Sequence, residues 1–476
     1  MVESTALIKK KSPVVDKLNA FFSSEYAVGV LAFFALCSAL CGFELFFYSL
    51  ICLSGIYLCL FGIDFRFFVP AAIYACVAIS EENNPNKNPN SVLFPQNGMW
   101  VVIVLAAVLA LLFVWRISRL KGTIFQTKRK FLSGFLALGA AFLISCFATK
   151  EHIWYNLRYS AVLFLSLFAM YYLLTVLLDK KSMKKDYFAW VLFFLGLCTA
   201  AQLFDVYAGG KVIVDGRILR SNIFVGWGTY NNLGLMILLG VPGAFYLSVK
   251  RNRGFIFNLF GNFLYLCVLL SNSRTGMLMG AVVYFACMFF VLRERKNYRQ
   301  NFAVFMAAFV ILFSLLLFFN DFIMRLFQVV LEKNDSNGRG EIYARGVLQF
   351  LSSPIIGRGF FASDAYDWWT VAGENLLPPL YHNNFVQMMA SCGLIGIFAY
   401  AYHRVQTVGF FVKAPTFEKT FIGIALGGFL LTNVLDCHFF LLGPGLFYSS
   451  YLALAEMEGA GTGLLQRKCE RGGKLY

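Results

Sequence analysis

Charge is scarce in this chain. Only 14% of its 476 residues are Asp, Glu, Lys or Arg, whereas 59% are hydrophobic, and the mean hydropathy is +0.67. A soluble protein of this size needs a far more charged surface, so that class is excluded. Ten-residue stretches of alternating apolar and polar side chains are missing too, which excludes a transmembrane β-barrel. No CxxC pair occurs among the twelve cysteines. Most of them, including Cys37, Cys41, Cys52, Cys59, Cys76, Cys146, Cys198, Cys267 and Cys287, lie in apolar runs. They read as small packing residues, not as a disulfide framework or a metal cluster. Histidine is limited to four residues. The opening segment, MVESTALIKKKSPVVDK, is polar and basic and precedes a span-length apolar run, so no cleavable signal peptide is expected.

What the chain does have is phenylalanine, 54 of them, and long apolar runs from end to end. Fourteen candidate spans fall at about 27–43, 45–62, 67–80, 99–116, 131–148, 157–178, 187–206, 231–249, 255–270, 275–292, 301–320, 386–403, 420–435 and 439–455. The third is short enough to be tilted or re-entrant. The expected architecture is an all-α polytopic membrane protein of roughly 12–14 transmembrane helices. It divides into N-terminal spans (1–206), central spans with arginine-bearing outer loops (207–320), one large, partly helical extracytoplasmic loop (321–385), and C-terminal spans with a basic tail (386–476).

The basic residues orient this order. With the N-terminus in the cytoplasm, the inside segments collect 29 of the 41 Lys and Arg, among them Lys9–Lys11, Arg66, Lys128–Lys130, Lys250, Arg293, Arg295, Arg404 and Lys419. The net charge of +16 therefore reflects membrane orientation and attraction to lipid surfaces, not nucleic acid. Arginine dominates the small remainder outside: Arg158, Arg217, Arg220, Arg274, Arg325, Arg339, Arg345 and Arg358. Its planar fork of donors grips phosphate oxygens in pairs, so the outer face is expected to bind an anion.

Three outer segments carry these residues. The first, YAGGKVIVDGRILRSNIFVGWGTY (207–230), holds Arg217 and Arg220, which would share a face if the stretch were helical, and leads into NNLG at a span mouth. The second, SNSRTG (271–276), offers serines as helix caps and puts Arg274 in a first turn. A cation there opposes the helix dipole unless an anion shares the site. The third is the long loop. GRGEIYARGVLQFLSSP reads as a helix ended by Pro354, with Arg339 at its start and Glu341 spaced to pair with Arg345. Asp364, Asp367, Trp368 and Trp369 follow, residue types that suit sugar rings, and the loop closes on PPLYHNNF with His382 and Asn383.

Arg339 followed by Tyr343, a short helix, PIIGRG (354–359), His382–Asn383 and GLIG (393–396) resembles the O-antigen ligase and polymerase superfamily of bacterial membrane proteins. SNSRTG and RILRSNIFVGWGTYNNLG are similar to two further stretches of that family, and the resemblance covers roughly residues 210–400. Tyr343 stands where the family usually has tryptophan, and either Arg217 or Arg220 could match its upstream arginine. The resemblance implies a GT-C-like helical fold and a glycosyltransferase in the bacterial cytoplasmic membrane, with both termini cytoplasmic. The donor would be an undecaprenyl-diphosphate-linked glycan, and the acceptor a hydroxyl of a glycan, lipid or protein. It implies diphosphate contacts by Arg339, by Arg217 or Arg220, and by Arg274, with Arg345 and Asn383 as further diphosphate- or substrate-binding residues. It also implies a proton-accepting or acceptor-positioning role for His382, a capping role for Asn383, an inverting reaction, and no metal or cofactor.

The chemistry agrees with these residue types. A departing diphosphate gains charge that arginines can stabilise, and a histidine suits proton removal near neutral pH. Two readings inside the family remain open: a ligase that moves a finished glycan, and a polymerase that adds repeat units. A transporter or a non-catalytic glycolipid-binding protein is the reading from another class. Against transport, almost no charge lies deep in the spans, and no internal repeat is visible.

Overall fold

The computed structural model describes residues 13–62, 64–81, 99–119, 129–148, 153–177, 186–210, 212–214, 217–318, 339–361, 380–413 and 415–459. The helices in chain order are α1 (Pro13–Phe22), α2 (Glu25–Cys41), α3 (Glu44–Phe61), α4 (Phe68–Val77), α5 (Met99–Arg119), α6 (Leu132–Ser145), α7 (Ile153–Leu177, with a π turn at Leu165–Ala169) and α8 (Tyr187–Ala208). They continue with α9 (Tyr230–Lys250), α10 (Gly254–Leu270), α11 (Arg274–Arg293), α12 (Tyr298–Phe318), α13 (Arg339–Ser352), α14 (Asn384–Val412), α15 (Phe417–Thr432) and α16 (Leu442–Gly459). Every one of the fourteen apolar runs is helical. Among the described residues, seven helices are long and apolar enough to cross a membrane, or eight if the bent pair α1–α2 counts as one span. The protein is therefore an all-α polytopic membrane protein.

The helix α9 forms the centre of the bundle. Every residue from Leu233 to Val249 is buried, as a helix apolar on all sides requires when protein surrounds it. It packs most extensively on α8 and α10, and also on α11 and α15. Two glycines permit the α8 contact: a Cβ on Gly240 would lie 2.6 Å from the Gly196 Cα. In lipid, such small-residue contacts supply the packing that hydrophobicity cannot. By contrast, α5 buries no residue of its span, and Trp100, Val104, Leu111 and Val114 are exposed. Its solvent is hydrocarbon.

The basic segments converge at one end of the bundle. Lys130 and Lys419 both lie over the Phe410 ring, Lys250 Nζ is 3.0 Å from Glu418, and Lys296 donates to the Lys250 carbonyl. Two cations counted above with the inner loops behave otherwise. Arg66 is buried against Asp64 and the Tyr187 ring, and is an internal pair. Arg404 lies inside α14, about 12 Å before the helix end. The expected span 386–403 is displaced because α14 is two helices broken at Gly393.

That break explains two of the sequence motifs. Gly393 has φ 62° and ψ −155°, a region open only to glycine. The freed amides of Leu394 and Ile395 donate to the carbonyls of Pro354 and Ile355 at 2.8 and 3.1 Å. The carbonyls of Ala390 and Ser391 accept from the amides of Arg358 and Gly359 at 3.0 and 2.9 Å. PIIGRG is thus a backbone clamp that satisfies both sides of the kink, where unpaired groups would be costly. The two arms fold toward each other, since Asn384 Nδ2 reaches the Tyr400 hydroxyl at 3.3 Å. The arm 384–392 is a short helix lying along α13, and 394–412 is the span.

Between α8 and α9 the chain forms two hairpins, not a helix. β1 (Ile213–Val214) pairs antiparallel with β2 (Arg217–Ile218), with Val214 opposite Arg217. β3 (Phe224–Val225) pairs antiparallel with β4 (Gly228–Thr229), with Phe224 opposite Thr229. Trp227 Nε1 fixes the second hairpin by donating to Gln202 Oε1 of α8 at 2.8 Å.

Candidate functional site

At the end of the bundle opposite the basic layer, His382 meets Asp436. The imidazole Nδ1 is 3.1 Å from Asp436 Oδ1. The histidine sits in a left-handed backbone conformation, φ 50°, which costs a non-glycine residue roughly 1–2 kcal/mol. Neighbours hold it there. Asn383 caps the following helix, its Oδ1 accepting from the amides of Phe385 and Val386 at 2.8 and 3.1 Å. Its Nδ2 donates to the Val434 carbonyl at 2.8 Å, and Asn384 N donates to the Asn433 carbonyl at 3.1 Å. The histidine loop is thereby tied to the α15–α16 turn that carries Asp436. The His382 side chain remains 36% exposed, and that of Asp436 only 10%.

Asp436 is the hub. Besides His382, its carboxylate accepts from the Cys437 amide at 2.8 Å and from Asn231 Nδ2 at 3.1 Å. His438 Nε2 lies 3.7 Å from its second oxygen. Burial works to raise this carboxyl, but the two imidazoles and the hydrogen bonds it accepts outweigh that and hold it well below the usual carboxylate range. Burial keeps His438 below the ordinary imidazole range even with Asp436 beside it. The Cys437 thiol is pushed well up by burial and by Asp436, so it stays protonated and is no nucleophile.

The network extends to the second arginine segment. Asn231 Oδ1 accepts from Ser273 Oγ at 2.8 Å, and that oxygen in turn accepts from the Gly276 amide at 3.1 Å, capping α11. Arg274, half-buried, is the next residue. One residue before Asn231, the Tyr230 ring lies 5.8 Å from the Arg220 guanidinium carbon. Tyr343 donates from its hydroxyl to the His382 carbonyl at 3.3 Å. Arg339 lies one turn earlier on the same face of α13, and its charge acts on both Tyr343 and Cys437.

The structure thus brings His382, Asn383, Arg339, Arg274 and Arg220 to one end of the bundle, around Asp436. Arg345 does not join them. It is exposed and lies about 160° around α13 from Tyr343, and the expected Glu341–Arg345 pair does not form. Arg217 occupies β2, and its side chain lies outside the described residues, as do Asp364, Asp367, Trp368 and Trp369. Sequence reasoning missed Asp436, His438, Asn231 and Ser273 as members of this group. A signal for the first two existed: DCH, a carboxylate and an imidazole in the short turn between the last two apolar runs.

Fold and site together define a class: a multi-pass α-helical membrane protein with a histidine–aspartate dyad and several arginines at the same end of its bundle. Residues 259–401 match the family model described as O-antigen ligase. That match covers under a third of the 476 residues and shows that the chain carries a domain similar to the O-antigen ligase family. The match includes Arg274, Arg339, PIIGRG, His382 and GLIG. Arg220, Asn231, Asp436 and His438 lie outside it and reach the site by tertiary packing. No curated protein matches the chain.

Proposed function

We propose that this protein is an O-antigen ligase-type transferase that moves a glycan from a polyprenyl diphosphate to an acceptor hydroxyl at the outer face of the bacterial cytoplasmic membrane. The observation that carries the reading is the dyad: a partly exposed imidazole whose Nδ1 is engaged by a buried carboxylate. With Nδ1–H donating to Asp436, the lone pair sits on Nε2, the nitrogen left free to accept a proton. The acceptor oxygen attacks the anomeric carbon as its proton passes to His382. The bond from that carbon to the diphosphate oxygen breaks, its electron pair leaves with the lipid diphosphate, and the anomeric configuration inverts. Arg339, Arg220 and Arg274 stabilise the charge that develops on the leaving oxygen. Of the upstream pair, Arg220 is favoured because its guanidinium stands by the ring of Tyr230, the residue before Asn231, whose amide binds Asp436.

The test is a purified reaction containing a polyprenyl-diphosphate glycan and candidate acceptors. Transfer of a single block, lost in His382→Ala, is the expected result. A product ladder would make the protein a polymerase instead. Binding of the glycolipid with no turnover, unchanged in His382→Ala, would overturn the catalytic reading.

A further inference from the structure

The opposite end of the bundle holds a second anion-seeking arrangement. Arg293, Arg295 and Arg299, with Glu294 and Tyr298, line a cavity of about 580 Å³ where α11 passes into α12. That is within the range of small-molecule pockets and ample for a glycerophosphate group. Following α11 from Ser273 to Arg293 puts this cavity roughly 30 Å from the dyad, so it is not part of that site.

The connecting loop is built rigidly. Asn297 takes a left-handed conformation, φ 60°, and its Nδ2 donates to the carbonyls of Ser248 and Arg251 at 3.0 and 2.9 Å. Those are carbonyls at the C-terminal end of α9, where helix geometry leaves acceptors without partners. Lys296 Nζ reaches the Lys250 carbonyl at 2.6 Å. The arginines are therefore carried on a clamped turn.

Two neighbouring cations at this end have acids: Lys250 has Glu418, and Arg251 has Asp186. Among the described residues, no carboxylate oxygen lies within 4.0 Å of Arg293, Arg295 or Arg299. Among the described residues, the only acid lining the cavity is Glu294. Three guanidiniums around one hollow repel one another unless an anion enters. An apolar track leads away from them. Phe289 is one turn from Arg293 and 59% exposed, and Phe302 stacks on Tyr298 with Phe309 beyond it, 63% exposed. An anion-binding hollow continuous with a lipid-facing aromatic track fits an amphiphile better than a free ion.

We propose that this cavity binds the phosphodiester headgroup of an anionic phospholipid, with the acyl chains along Phe289 and Phe302. The test is native mass spectrometry of the full chain in neutral detergent, with phosphatidylglycerol, phosphatidylcholine and glycerol 3-phosphate as probes. One retained phosphatidylglycerol is expected, with little phosphatidylcholine. The combined Arg293→Gln, Arg295→Gln and Arg299→Gln variant should lower its occupancy about tenfold or more, given roughly 1 kcal/mol per basic group near an anionic lipid. Loss of charge on α1 and at the end of α14, Lys17→Gln with Lys413→Gln, should leave it unchanged. A wild-type melting temperature raised by phosphatidylglycerol, and not by phosphatidylcholine, supports the site without any variant. Equal retention of both lipids, an unaffected arginine variant, or displacement of the lipid by glycerol 3-phosphate overturns the proposal.

Discussion

Asp436→Asn is the substitution that bears most directly on the dyad. It keeps the shape of the side chain and removes the charge from a group 90% shielded from solvent, hydrogen-bonded to His382, Asn231 and the Cys437 amide. A hydrogen bond to a charged group contributes about 1.5–3 kcal/mol. The attraction between a carboxylate and the imidazolium formed during proton transfer is up to about 4 kcal/mol near a protein surface at about 4 Å. The His382 side chain is about one-third exposed, so solvent screens part of that, and about 2–3 kcal/mol is a fair net figure. This corresponds to a fall in kcat of roughly 30- to 200-fold. The assay is single-turnover transfer from lipid-linked glycan, with folding checked by size-exclusion profile and melting temperature. Activity within about threefold of wild type, in a folded variant, would refute the claim that Asp436 serves the histidine. Stability supplies an independent reading. The Asp436 carboxyl is held below its unfolded value of about 3.9, so its ionised form favours the folded state. That contribution is complete above about pH 4 and fades as the pH falls further. The melting-temperature gap between wild type and Asp436→Asn should therefore be largest near pH 7 and shrink toward pH 3.

Two further substitutions probe the frame around the dyad. Gly393→Ala places a Cβ 2.6 Å from the Gly357 amide and the Ile355 carbonyl in a backbone region only glycine tolerates, and should destabilise the protein by about 2–3 kcal/mol in thermal or denaturant unfolding. An unchanged melting temperature would mean the PIIGRG clamp is not what holds the kink. Arg339→Lys keeps charge and loses the two-pronged donor, so donor KM or kcat should worsen by at least about tenfold, with little change in stability. Full activity in that variant would remove Arg339 from diphosphate binding.

The membrane class was legible in composition, because apolar runs near 20 residues leave no other solvent for their side chains. Helix positions were legible for the same reason, and each of the fourteen runs is helical. The cap at Asn383, which the resemblance implied, agrees with local chemistry, since an asparagine side chain at a helix start satisfies first-turn amides. The clustering of outer-loop residues came from motifs that repeat a known order. Arg345 failed to follow, because it needed the helix rotation that only the packing of Gly346 against Tyr381 and Val386 sets.

What the sequence determined by itself, then, was the solvent, the helices and the local caps, all consequences of short-range periodicity and charge. What only tertiary structure decided was the partner of the histidine and the break in α14. Asp436 lies 54 residues beyond His382, and Asn231 lies 205 residues before Asp436, so no local pattern pairs them. Gly393 and PIIGRG are some 35 residues apart, and each is an ordinary glycine-bearing stretch until the other supplies its hydrogen-bond partners. Contacts of that range are fixed by how the spans pack on α9, and packing is a property of surfaces that a linear pattern does not carry.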